Sequence, residues 1–573
     1  MNRKARWFAI GMAGVLVVAI AVAALTRGRF AGSFNALEVD LGQPDLLVRS
    51  ARLSALSKDL VAAPLLRDIL TEDFVHYYED HPTRLSLLGT VKRLAYDHQL
   101  TWSDRLVATV LDAPGEIALW RDGKGRPEHF VLMLEHNLAT QAVLQLAKVA
   151  LPDSQLSVAG EVGPLIGRKS TVYAARINAR TTWLFASRGE RTVVLSHPGL
   201  LLKEDGSVSG PAADIVAKAL GTDAGEVSPF ARDFGLDEPR GLQQQIAAKT
   251  AFLSFGYQHF FPDVKALRLD LSSQGSWSLS AQASGAALDL WRGGATRLWS
   301  ALPRASALCA ALPLDLSRAE PLLQTLDGDA GVALAKDLQP VAGVCWGRAG
   351  GLFAPTLALQ LRDGVEGRHD ETLARLLQRV TADARRPAAD DADDADDSTG
   401  AATAAPSAEQ GVQASTLSRP AGGKVWKRTV VHEFGAVKHN GQRADVVSIA
   451  RLGPTLIAST DARAVEQAVA VAAKTYPALS DKPVDGAVPV LYIDGGQLSG
   501  MLDAETWRVL KPSTVPTFSR VARELLPPRL KAVARLGTVQ VGLPASAKGG
   551  SQAGWVPLLV HQEAGSKQAA GTP

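Results

Sequence analysis

Cysteine is almost missing from this chain. Its 573 residues hold two, Cys309 and Cys345. Two thiols cannot build a disulfide-rich framework, nor fill the four ligand positions of a structural zinc site. An excess of one charge is missing too. The 61 Lys and Arg against 58 Asp and Glu leave a net charge of +3. No basic stripe marks the body of the chain, which argues against a dedicated nucleic-acid partner. The short catalytic signatures are absent as well. There is no G-x-S-x-G elbow, no S-x-x-K, no Walker A loop and no dinucleotide-binding glycine fingerprint, so no cofactor is implied. His432-Glu433 opens like a zinc-protease motif, but the second histidine would fall on Ala436. After the first thirty residues no apolar run approaches membrane-spanning length, since Ala281–Leu290 is short and carries Asp289.

What is present begins at the N-terminus. From Trp7 to Leu25 no side chain is charged or strongly polar. At about 1.5 Å per residue this run nearly crosses a hydrocarbon core of about 30 Å. Arg3, Lys4 and Arg6 precede it, which holds the N-terminus inside and sends the rest across. Residues 1–30 are therefore expected to anchor the protein in the cytoplasmic (inner) membrane as a single-pass helix, with the bulk of the chain in the periplasm. A cleaved signal peptide is the rival reading, because Ala21-Val22-Ala23 fits an A-x-A site. With 46% hydrophobic and 21% charged residues, the remainder is globular in composition.

Six short stretches recur in one order in the two halves. Leu46–Leu66 is echoed by Ala307–Leu326, Ile117–Trp120 by Gly343–Trp346, and His129–Asn137 by Thr356–Gly364. The helical stretches Ala142–Leu151 and Glu371–Val380 follow. Trp183–Gly199 then matches Val446–Ala462, each a strand, a tight glycine turn and a strand. Phe261–Ala283 finally matches Pro527–Leu543, with Gly554–Gln562 as the second strand. The pattern predicts an α+β fold: two similar tandem lobes at 36–290 and 300–563, with mainly antiparallel sheets and packed helices. In register, Trp120 should match Trp346, the turn at Gly189 that at Gly453, and Leu195 and Ala458 should point inward, with Ser196 and Ser459 facing the other way. A disordered acidic insertion is expected at 383–423, whose run of Asp390 to Asp397 reads as a solvated charge block rather than a calcium loop, and a disordered tail at 564–573.

Candidate sites are few. Glu72, His76 and Asp80 lie four apart on one helical face beside His81, a set that could hold a divalent metal; an exposed helix end accounts for the same residues. Trp120-Arg121 and the Trp346/Arg348 pair could mark a shared binding edge, although a tryptophan closing a lobe core reads the same way. Cys309 and Cys345 either form a disulfide or stay as two buried thiols, and the sequence leaves both open.

The stretch from Leu41 to Leu85, together with Asp112–Phe130, resembles an uncharacterised family of bacterial membrane-anchored envelope proteins, domain of unknown function 2138. The resemblance runs from about residue 36 to the end of the second lobe. The family has no assigned activity, so no residue role carries over. Its members are encoded near macroglobulin-like envelope proteins, which implies such a protein as partner. The expected role is that of a non-catalytic binding or accessory protein of the envelope. The rivals are an envelope hydrolase or metal-dependent enzyme with dispersed residues, and a lipid- or cell-wall-binding module.

Overall fold

Short runs of β-branched and aliphatic residues, broken by glycine turns, fold here as antiparallel strands that bury alternate side chains. The computed structural model describes residues 37, 39–56, 112–121, 127–135, 156–163, 169–176, 181–221, 227–237, 241–253, 257–272, 276–347, 354–382, 412–419, 422–430, 445–482, 484, 486–510, 516–545 and 554–563. The fold is α+β, with an extensive antiparallel sheet and several helices. Among the described residues no helix is long and apolar enough to cross a membrane; the apolar run from Trp7 to Leu25 lies outside them.

The chain divides into two units, Met1–Phe255 with Ala266–Ser280, and Gly256–Lys265 with Ala281–Pro573. The helix at 285–299 packs within the second unit.

In the first unit the strands are β1 (Leu46–Ser50), β2 (Gly115–Arg121), β3 (Pro127–Glu135), β4 (Leu156–Val162), β5 (Ser170–Arg176), β6 (Thr182–Arg188), β7 (Arg191–Leu195), β8 (Leu242–Lys249), β9 (Val264–Ser272) and β10 (Trp277–Ala283). Their order across the sheet is β10-β9-β8-β1-β2-β3-β7-β6-β5-β4. One face carries a core of Leu46, Val48, Leu119, Phe130, Ile246 and Leu271. Helices α1 (Gly210–Gly221) and α2 (Pro229–Asp233) follow β7. Ser228 caps α2 by accepting from the amide of Ala231, satisfying an orphan donor of its first turn.

The second unit opens with α3 (Gly285–Trp299), β11 (Ser306–Pro313), α4 (Leu316–Asp337), β12 (Leu338–Gly347), β13 (Thr356–Leu361) and α5 (Asp370–Ala382). It continues with β14 (Gln413–Thr416), β15 (Lys424–Val430), β16 (Asp445–Leu452), β17 (Thr455–Ser459), α6 (Ala462–Ala472) and β18 (Ala487–Asp494). Helices α7 (Gly495–Leu510) and α8 (Pro516–Arg535) precede β19 (Thr538–Pro544) and β20 (Gly554–Glu563). The order is β20-β19-β18-β11-β12-β13-β17-β16-β15-β14. Leu373, Leu376 and Leu377 of α5 pack with Leu334, Trp426, Val447 and Leu456 in one core.

Part of the expected insertion is ordered: within 383–423, Gln413–Thr416 form β14, paired with Lys424–Lys427. All four of its side chains are exposed, so the strand is held by backbone hydrogen bonds and leaves no apolar trace in the sequence. Residues 383–411 and the tail from 564 lie outside the described residues.

Candidate functional site

The most distinctive polar arrangement lies across the middle of the second sheet. Strand pairing sets Lys427, Ser448, Ser459, Thr356, Cys345, Cys309, Tyr492 and Gln540 side by side in one row. From Ser448 to Gln540 every member is buried. Cys309 and Cys345, directly opposed on antiparallel strands, are joined in a disulfide with Cα atoms 4.1 Å apart. Thr356 Oγ1 donates to Ser459 Oγ at 3.3 Å, and Ser459 Oγ accepts from the amide of Asp461 at 3.0 Å. Burial and the charge of Asp494 push the Tyr492 phenol above its ordinary pKa, keeping it protonated, and it donates to the carbonyl of Arg304. Ser448 Oγ and Gln540 Oε1 have no hydrogen-bond partner among the described residues. The hydroxyls of this row contact no imidazole or carboxylate in the described structure, so nothing there activates them as nucleophiles.

The first sheet places a different polar row on the neighbouring rung. Glu116, Arg49, Gln245 and Asp270 are directly opposed across β2, β1, β8 and β9. Arg49 Nε donates to Glu116 Oε1 at 2.9 Å, and its NH1 donates to Gln245 Oε1 at 3.0 Å and to the carbonyl of Asp237 at 2.6 Å. Gln245 Nε2 then donates to Asp270 Oδ1 at 2.9 Å, and Ser228 donates its hydroxyl to Glu116 Oε2. Burial raises the pKa of Glu116, and the charge of Arg49 and the Ser228 hydrogen bond work against that rise. Both oxygens of the Glu116 carboxylate accept hydrogen bonds, and the row forms a buried polar network.

In the second unit the paired charges lie between elements instead. Asp370, at the start of α5, receives Arg451 at 2.6 Å and Lys424 at 2.8 Å. Burial disfavours its charge, but these hydrogen bonds outweigh it and hold its pKa below the ordinary aspartate value. Buried Asp327 pairs with Arg375 at 2.9 Å and Arg379 at 3.3 Å, and His369 Nε2 meets Asp337 Oδ2 at 2.7 Å. Sequence reasoning found none of these sets, because their members are far apart in the chain and no local motif links them.

Trp120 is buried rather than offered at an edge. Its Nε1 donates to the carbonyl of Asp40 at 2.9 Å, and its ring meets Phe230 edge-on at 6.0 Å. Arg121 is fixed by Asp45 at 3.0 Å and by the carbonyl of Ala251 at 2.7 Å, and lies over the Phe252 ring. Laying the two sheets on each other by their strand order would bring Trp120 one residue away from Trp346. Leu195 and Ser459 each stand four residues past their hairpin turns, at Arg191 and Thr455. Following the ladders inward from them puts Ala118 level with Cys345, hence Trp120 level with Gly347. For the same reason Ser459, not Ala458, is the buried partner of Leu195, and Ser196 is buried as well. A slip of one residue along a strand exchanges its two faces. Arg348 and the set Glu72, His76, Asp80 and His81 lie outside the described residues. Among the described residues no group of three or more His, Cys, Asp or Glu side chains could hold a metal ion.

The described residues form antiparallel sheets crossed by internal polar rows, an α+β body. The comparisons agree on family. Residues 8–560 match the family described as uncharacterised proteins conserved in bacteria, DUF2138, and this chain belongs to it. A curated relative, the uncharacterised protein YfaA of Escherichia coli (strain K12), is 28% identical over 97% of this chain and 99% of its own length. Two crystal forms of TP0453 align over 48% and 44% of this chain and 88% and 80% of theirs, at 8% and 12% identity, each with a TM-score of 0.20, too low to carry an argument.

Proposed function

We propose that this protein is a membrane-tethered component of the bacterial envelope, with a periplasmic body made of two copies of one ten-strand unit, and that it serves as a non-catalytic binding partner of another envelope protein. The observation that carries the compartment is the Cys309–Cys345 disulfide at the centre of the second sheet. Disulfides persist in exported proteins and are rare in the reducing cytosol. The tether rests on the uncharged run from Trp7 to Leu25. The duplication is supported by a strand order that is the same in both units when each set of ten is counted in chain order. It is also supported by the coincident burial of Leu47, Ala118, Val131 and Leu195 with Cys309, Cys345, Thr356 and Ser459. The binding role is favoured by the way buried or half-buried ionisable groups such as Arg49, Glu116, Asp370 and Arg451 are committed to internal pairs, and Leu322 and Leu357, open to solvent, are sites at which a partner can be probed.

Blocking thiols in intact cells tests the compartment. Neither cysteine should react until reductant is added, and the protein should leave membranes only with detergent. Free thiols in growing cells, or release by salt alone, would defeat the reading. Photo-crosslinkers at Leu322 and Leu357 should capture one envelope protein reproducibly, and diffuse labelling would count against a dedicated partner.

A further inference from the structure

The two units differ where β8 joins β9 and where β18 joins β19. The first connection is residues 250–263, a one-turn helix and a 3-10 turn. The second, residues 495–537, holds the helices α7 and α8 packed on each other. The strands on either side occupy the same places in the two strand orders, so neither sheet requires the helical pair. It is an addition whose reason should be sought on its outer surface.

That surface is basic, a local run of cations that the balanced charge of the whole chain conceals and that sequence reasoning did not pick out. Helix α8 reads PTFSRVARELLPPRLKAVAR, with Arg520, Arg523, Arg529, Lys531 and Arg535 against Glu524 alone. Leu526 and Leu530 are buried, and Ser499 of α7 donates to the carbonyl of Leu530 at 2.8 Å, which fixes the rotation of α8 about its axis. Arg523, Pro527, Lys531 and Arg535 are all exposed, and as successive i+4 positions they form one ridge that turns about 120° around the helix. From Arg523 to Arg535 the stripe runs about 18 Å at ~1.5 Å per residue. Arg523 lies over the Trp507 ring at 5.9 Å, which holds it outward. No described carboxylate pairs with Lys531 or Arg535, whereas Lys424, Lys427 and Arg451 of the same unit all have acidic partners. A ridge of exposed cations on a convex helix, with Asp503 near only its Arg523 end through the Trp507 ring, offers no pocket for a single anionic group. Its charge complement is a plane of negative charge.

We propose that this face of α8 docks on an anionic phospholipid surface, laying the second unit against the membrane that the N-terminal segment enters. The apolar side of α8 is used within the unit, so the contact is electrostatic and peripheral rather than inserted. The proposal rests on the tether proposed above, which keeps the bilayer within reach. Each basic residue near an anionic bilayer strengthens association roughly fivefold, so three act on the order of a hundredfold at low salt.

Hydrogen exchange of the full chain, in vesicles of phosphatidylcholine alone or with one part in three phosphatidylglycerol, reads the contact. Exchange within residues 516–535 should slow roughly tenfold in the anionic vesicles only, and the effect should vanish in high salt. The triple variant Arg523→Glu, Lys531→Glu, Arg535→Glu should abolish the difference while keeping the Cys309–Cys345 bond and native circular dichroism. Equal exchange in both vesicle types, or an unchanged difference in the variant, overturns the proposal, and protection supplied instead by an added acidic protein does the same. If the chain fails to stay with vesicles of either kind, the tether is what has failed. Co-sedimentation of the released chain then decides: binding to anionic but not neutral vesicles supports the stripe, and binding to neither overturns it.

Discussion

Arg49 and Glu116 show how a single residue can decide whether a buried charge is tolerated. Both are almost fully shielded and lie 2.9 Å apart. Replacing Arg49 with methionine would leave Glu116 inside the sheet without its counter-ion, a change that costs about 3–5 kcal/mol. Adding Glu116→Gln should recover part of that loss, measured by denaturant unfolding. The pH dependence follows from the direction of the shift. The folded state raises the pKa of Glu116, so its contribution is complete below the ordinary glutamate range and declines as pH rises through the raised value. The Arg49→Met protein should therefore lose more stability than the parent as pH rises above the ordinary glutamate range. Asp370 runs the other way. Its pKa is lowered, so its contribution is present above the ordinary aspartate range and is lost as pH falls through the lowered value. Asp370→Asn should flatten the acid side of the stability curve, and an unchanged acid limb would remove Asp370 from the explanation.

At the scale of single elements, α4 is informative because it is broken. Asp327 and Gly328 leave helical geometry, with φ +56° at Gly328, and the carboxylate of Asp327 is held there by Arg375 and Arg379 of α5. A Cβ on Gly331 would stand 2.0 Å from the carbonyl oxygen of Leu323, so the break survives only with glycine at that place. Gly331→Ala should cost about 2–3 kcal/mol. Gly293→Ala, in the middle of α3 with nothing within 4 Å of its Cβ, should gain about 0.5–1 kcal/mol. Thermal melts of the two variants would separate these outcomes, and equal shifts would show that the close approach is not what matters. The hairpins at Gly189 and Gly453 and the helix at α5 are legible in sequence, because a glycine turn between strand-forming runs and an amphipathic repeat are local signals. The face of each strand is harder to read. Few identities separate Ala458 from Ser459 as the match to Leu195, and one step reverses inside and outside. Strand β14 and the Asp327 clamp have no local signal, and the Arg49 row joins residues 49, 116 and 245, too far apart for any window to link.

On the scale of the whole molecule, the disulfide tests the relation between the halves. On the duplication proposed above, Cys309 and Cys345 occupy the rungs that Leu47 and Ala118 hold in the first sheet, and all four are nearly or wholly shielded from solvent. Cys309→Leu with Cys345→Ala should thus fold, because the pair it introduces is already accepted at that position. Closure of the loop across a separation of 36 residues stabilises by roughly 3–4 kcal/mol. The variant should recover some of that through packing and so exceed the reduced parent in stability. A variant that fails to fold while the reduced parent does fold would mean that the two positions are not equivalent. The strand order has a further consequence, for time rather than energy. In each sheet the first strand of the set, β1 or β11, lies between its second and its eighth, so Leu46 pairs with both Leu119 and Ala248. Contacts between residues so remote in the chain make for slow folding. As the polypeptide emerges from its N-terminal end, β1 waits with one edge open until residue 242 and beyond have appeared. The same delay is then repeated for β11. Each unit therefore passes through a long interval as an unfinished sheet with a bare central edge, the period in which a newly made chain is most exposed to proteases and most in need of a chaperone.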